Sequence, residues 1–174
     1  MTGTQLSTLR TALSKFDGNA VSMLSEIDAA YKKTPGYLDT VIEYVGDSDP
    51  MIQRGASWIF LDHAKSNALF APETCSLLSV QLNRVTDWGA ALHVLQALEH
   101  YDGRAKNVDT FSEFIKANLA HKRPFLRAWS MSALCRLAQY HPTLKADADA
   151  ALTSATEDQA ASVRARARRL HKQM

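Results

Sequence analysis

The 174-residue sequence holds two cysteines, six histidines, an Arg–Trp–Asp ladder and one dense run of cations, and these are the groups that could do chemistry. Cys75 and Cys135 lie far apart, and neither has a partner at C-x-x-C spacing, which excludes the common zinc and dithiol redox motifs. Both stand in apolar helical context, where a free thiol behaves as a small hydrophobe, and they point to a reducing compartment. Of His63, His93, His100, His121, His141 and His171, no two are spaced i, i+4, and His93 and His100 are too far apart to hold one metal without a third ligand. No metal and no cofactor is expected. The sequence carries no G-x-S-x-G, H-E-x-x-H, G-x-G-x-x-G or phosphate loop, so no catalytic residue is assigned. Arg54, Trp58 and Asp62 are different. Four residues apart, they can meet on one helix face, and an aromatic beside an arginine is what binding hot spots use. The cation run from Val163 to Lys172 holds Arg164, Arg166, Arg168 and Arg169. It could grip an acidic partner, or could simply complement the dipole at a helix C-terminus.

Helices must position these groups. The chain has 26 Ala and 20 Leu against 8 Val and 5 Ile, a balance that favours helix over strand. Apolar residues recur at helical spacing throughout: Leu6, Leu9, Leu13 and Phe16, then Val21, Leu24, Ile27 and Tyr31, then Leu38, Val41, Ile42 and Val45. Further helices are expected over 50–66, 72–84, 88–101, 108–120, 124–140, 144–155 and from 160 onward. Asp49 reads as an N-cap with Pro50 at the first helical position. A repeat emerges when Ile52, Ala90, Leu126 and Val163 are made equivalent. Four residues later come Ala56, Val94, Ser130 and Ala167; seven and eight later come Ile59–Phe60, Ala97–Leu98, Ala133–Leu134 and Leu170–His171. These positions share one helix face, and the small residue at the second lets neighbouring helices approach closely.

Asp49-Pro50-Met51-Ile52-Gln53-Arg54, Arg123-Pro124-Phe125-Leu126-Arg127 and Ser162-Val163-Arg164 resemble the second helices of HEAT repeats, of the armadillo-like superfamily. The resemblance covers residues 36–174, with 1–35 as a degenerate N-terminal pair, in one domain. It implies an all-α fold: a short right-handed solenoid (an α-α superhelix) of about four and a half to five antiparallel helix pairs. It also implies a concave face lined by the second helices, where a protein or peptide would bind without catalysis. Arg54, Trp58, Asp62, Gln96, Glu99, His100 and Arg136 are the expected contact residues, and Arg127 and Arg164 the expected bridges between units. Trp58, Trp88 and Trp129 all fall on second helices, where they either meet a partner or fill space between units.

Two alternatives follow. Trp58 and Asp62 resemble the Trp–Asp pair of HEAT-like alkylpurine DNA glycosylases, which would make Asp62 the residue that stabilises charge at a departing nucleotide. Alternatively, Lys122, Arg123, Arg127, Arg164, Arg168, Arg169 and Lys172 form a basic strip for a nucleic-acid backbone. Net charge is +2, yet residues 1–102 carry 7 basic against 12 acidic residues, and 103–174 carry 13 against 6. The acidic half, which contains Asp62, would repel phosphates. The N-terminus has no cationic segment followed by an apolar one, and no apolar run approaches the roughly 20 residues of a membrane span. A cytoplasmic protein is expected.

Overall fold

The computed structural model describes residues 2–66, 70–103 and 107–172, with side chains from Thr8 onward. Ten α-helices account for most of these residues: α1 (Thr2–Leu13), α2 (Val21–Tyr31), α3 (Tyr37–Val45), α4 (Pro50–Ser66), α5 (Pro72–Leu82), α6 (Trp88–Ala97), α7 (Val108–Leu119), α8 (Pro124–Ala138), α9 (Lys145–Thr156) and α10 (Ala161–His171). Among the described residues there is no strand, and no helix is long and apolar enough to cross a membrane.

Local chemistry sets the helix starts. Asp49 Oδ1 accepts from Met51 N at 2.8 Å, capping α4 just ahead of Pro50. Asp87 does the same for α6, accepting from Ala90 N at 2.8 Å. Proline stands at the start of α5 and α8, where its missing N–H costs nothing. Two helices differ from expectation. The helix read as 88–101 is α-helical to Ala97 and tightens into a 3-10 turn over Leu98–His100. Tyr101 then leaves the helix with extended backbone and buries its ring. The helix expected from Leu144 starts at Lys145, after a 3-10 turn over Pro142–Leu144.

The helices pack in two rows. In one, α4 lies against α6, α6 against α8 and α8 against α10; in the other, α3 lies against α5 and α5 against α7. The rows meet where α3 packs on α4, α7 on α8, α8 on α9 and α9 on α10. The aligned positions face this shared core: Ile52, Ala90, Leu126 and Val163 are all buried, as are Ala56, Val94, Ser130 and Ala167. The pattern fails at the last two positions of α10, where Leu170 is half-buried and His171 exposed. Phe60, Phe70, Tyr101 and Tyr140 form an edge-to-face chain with centroids 5.7–6.0 Å apart, joining the end of α4 to the end of α8.

Candidate functional site

The row α4, α6, α8, α10 carries most of the residues of interest, and its loops are tied together first. Gln53 is buried and uses its whole amide. Its Nε2 donates to Asp47 O at 2.6 Å and Arg84 O at 2.8 Å, while its Oε1 accepts from Thr86 N and Asp87 N at 2.9 and 3.0 Å. One side chain thus joins the α3–α4 loop to the α5–α6 loop. Arg127 holds the equivalent place on α8. It grips Asp158 with two nitrogens, at 2.7 and 2.8 Å, and donates to His121 O at 2.8 Å. Arg164 on α10 donates to Asp158 O and Gln159 O. Of these two arginines of the basic strip, Arg127 therefore joins the α7–α8 loop to the α9–α10 loop, whereas Arg164 closes only on the loop ahead of its own helix. The hydrogen bond from Arg127 holds the Asp158 carboxyl below its ordinary range against the opposing effect of burial.

Next to Gln53, Arg54 gives its charge to another helix and not to Asp62 along its own. It reaches across to α6 and forms a two-pronged ion pair with Asp87, Nε to Oδ1 at 2.9 Å and Nη2 to Oδ2 at 2.6 Å. The planar guanidinium matches the carboxylate, and Asp87 already sits at the N-terminus of α6 awaiting a cation. Two glycines admit the arginine. A Cβ at Gly89 would stand 2.7 Å from Arg54 Nε, and one at Gly18, whose φ is +86°, would stand 3.1 Å from Nη1.

Beside this pair lies a pocket of about 230 Å³, walled by Phe16 and Val21 from the α1–α2 region, Trp58 from α4, and Trp88, Leu92 and His93 from α6. Trp88 is 38 % exposed. The Arg54 guanidinium lies 5.3 Å from its ring centre and that of Arg123, from the loop before α8, 4.0 Å. His93 Nδ1 is hydrogen-bonded to Ser57 Oγ at 3.0 Å. Burial pushes the His93 pKa down to about 4, with Asp87 opposing, so the imidazole is neutral near pH 7. Asp62 is exposed in the last turns of α4 and does not line this pocket.

A second cluster occupies the other end of the row. Arg166 on α10 lies 3.3 Å over the centre of Trp129, and it hydrogen-bonds Ser132 on α8 and pairs with Glu99, which stands in the 3-10 turn after α6. Arg136 turns inward, donating to Tyr101 O at 2.8 Å and Gln139 Oε1 at 2.9 Å. Glu99 and Arg136 line a polar cleft of about 260 Å³ with Cys135 and Arg169. Burial raises the Cys135 thiol to about 11, which makes it a poor nucleophile. Gln96 is half-buried on α6, and His100 is exposed. The seven expected contact residues thus divide: Arg54 and Trp58 at one pocket, Glu99 and Arg136 at another, with Asp62, Gln96 and His100 outside both. Lys122, Arg123, Arg168, Arg169 and Lys172 are exposed, and none is paired with a carboxylate among the described residues. No three His, Cys, Asp or Glu side chains among the described residues converge as a metal site.

At this point the chain can be set beside known proteins. It is similar to AP-1 complex subunit beta-1. The Mus musculus and Homo sapiens proteins of that name are each 29% identical to it over 135 residues, which is 74% of this chain and 14% of theirs. No protein-family model matches the chain, and no solved structure matches it.

Several residues that build the pockets were not singled out as functional in the sequence. Gly18 reads from the sequence only as part of the Asp17-Gly18-Asn19 helix break, and Gly89 carries no signal beyond the rarity of glycine. Gln53 looked like an ordinary polar residue on a helix, and Arg166 was one cation among many. His93, at no metal-binding spacing, reads from the sequence as an ordinary surface or half-buried histidine. The adjacency Asp87-Trp88-Gly89 was the one usable cue: a cap, an aromatic and a gap in consecutive positions.

Proposed function

We propose that this chain is a non-catalytic interaction module that binds a protein or peptide along the face formed by α4, α6, α8 and α10. The single observation carrying this reading is the apolar pocket between α4 and α6, with Trp58 and Trp88 in its wall and arginines at its edge. The repeated register of the four second helices, with equivalent positions buried in each, supports a HEAT-like superhelix of stacked pairs spanning 1–174. In that arrangement the row would be the concave wall, and Gln96, Asp62 and His100 would extend the contact surface beyond the two clusters. Similarity to a named subunit of a complex supports a partner-binding role, and the two buried free thiols suit a reducing compartment such as the cytoplasm. A pull-down from source lysate with the wild-type chain and with a Trp58→Ala, Arg54→Ala double variant tests this. Loss of particular partners from the variant is expected; equal recovery of every partner by both forms removes these residues from the reading.

A second reading has one observation in its favour. The exposed Lys122, Arg123, Arg168, Arg169 and Lys172 could hold a nucleic-acid backbone, and affinity for duplex DNA would then fall steeply with salt. The glycosylase reading gains no such support, since Asp62 lies outside the pocket that contains Trp58. Release of methylated bases from duplex DNA, lost in Asp62→Asn, would restore it.

A further inference from the structure

We propose that the pocket between α4 and α6 seats one large apolar side chain of a peptide segment, and that a carboxylate beside that side chain pairs with Arg123. The proposal rests on the reading of the second-helix row as a partner-binding face and names the partner's chemistry.

Size comes first. At about 230 Å³ the pocket is smaller than the roughly 300–1,000 Å³ of small-molecule sites and suits a single side chain. Its walls are mainly apolar, from Phe16, Val21, Trp58, Trp88 and Leu92. Val21 and Trp88, 48 % and 38 % exposed, leave apolar surface at its mouth for a partner to cover.

Charge decides the rest. The cation in the pocket wall, Arg54, is neutralised by Asp87 through both oxygens. Arg123 is not. Its guanidinium lies 4.0 Å over the centre of the Trp88 ring, it is exposed, and no carboxylate among the described residues pairs with it. Contact with the ring restrains the guanidinium, so a carboxylate arriving beside it meets N–H donors with less ordering left to do. Lys122 adds a second positive charge next in sequence. A peptide with an apolar anchor and one or two adjacent carboxylates meets both demands. A polynucleotide fits less well: it needs a track of unpaired cations along its phosphates, and beyond Arg123 and Lys122 this end of the row belongs to the acidic half of the chain.

The test selects short random peptides displayed on phage against the whole wild-type chain, then synthesises the enriched consensus and titrates it while following the three tryptophan indole N–H resonances. The expected consensus places Phe, Trp or Leu beside Asp or Glu, and its binding moves the Trp58 and Trp88 signals and leaves Trp129 in place. Arg123→Glu, an exposed change that keeps the fold, is expected to weaken binding at least about tenfold, equivalent to 1.4 kcal/mol. Replacing the peptide carboxylate by its amide should cost about as much in wild type and almost nothing further in Arg123→Gln. Trp88→Ala should abolish binding with the thermal melt retained. Failure to enrich any peptide, or a consensus without an acidic residue, overturns the proposal. A consensus peptide that moves Trp129 and is indifferent to Arg123→Glu overturns the pocket assignment while leaving the wider interaction face standing. A thymidine oligonucleotide that moves Trp58 and Trp88 more strongly than the peptide overturns it in favour of nucleic acid. The wider reading falls separately, through the lysate pull-down.

Discussion

Trp88 and Trp129 both carry an arginine on the ring, and the two assemblies are built to different ends. At Trp129 the arginine is Arg166, whose side chain is 12 % exposed and whose remaining donors go to Ser132 and Glu99. Cation, ring and carboxylate close on one another and lock α10 to α8 and to the turn after α6. At Trp88 the first arginine, Arg54, is satisfied by Asp87, but the second, Arg123, comes from a loop and keeps its charge unpaired, and the ring borders an open pocket. The same residue types therefore serve cohesion in one place and leave an unpaired charge beside an open pocket in the other. What separates them is whether a carboxylate of the same chain arrives in reach, and whether the adjoining volume is filled.

That contrast can be broken from either side. The largest effect is expected at the closed assembly. Arg166→Ala leaves Glu99 without its cation, uncovers Trp129 and removes a bond from Ser132, and should cost about 3 kcal/mol. For a chain of this size that lowers the melting temperature by about 6–12 °C. A melt within 2 °C of wild type (less than about 1 kcal/mol on the same scale) would mean that Arg166 is not a lock.

The next effect comes from acid at the open pocket. His93 has a folded pKa of about 4 against about 6.5 unfolded, so the unfolded chain takes up the proton first. The stability due to the neutral imidazole is complete above about pH 6.5 and is lost as pH falls toward 4. Allowing for partial exposure, the loss should reach about 2 kcal/mol, and His93→Gln should remove that part of the acid dependence in urea melts at a series of pH values. Equal slopes in both proteins would contradict the burial of His93. Smaller still, Gly89→Ala pushes Arg54 off Asp87 and should cost about 1 kcal/mol, despite alanine's better helix propensity. Unchanged or raised stability would show that Arg54 finds another course.

The smallest effect sharpens the contrast most. Arg123→Glu, at an exposed and unpaired cation, should change stability by less than about 0.5 kcal/mol. A large loss there would place Trp88 in the same class as Trp129.

The helices and their register were legible because each rests on short-range chemistry. A cap such as Asp49 bonds its own helix, and an apolar stripe such as Ile52, Ala56, Ile59 and Phe60 is a fact about one helix's surface. The site was legible in part. Trp58 and Arg54 share one helix face by their spacing, but Arg54 pairs with Asp87 of another helix instead of staying with Trp58 on the stripe toward Asp62, two turns on. An i, i+4 contact is worth a few tenths of a kcal/mol, and a two-pronged pair with a helix-capping carboxylate is worth more. Which of them forms depends on Gly18 and Gly89 leaving room, and that is visible only once α1–α2 and α6 lie against α4. The same holds for Arg166 and Glu99, 67 positions apart. Local periodicity can say which side of a helix is greasy; it takes the packed helices to say which charge is already spent and which still faces solvent.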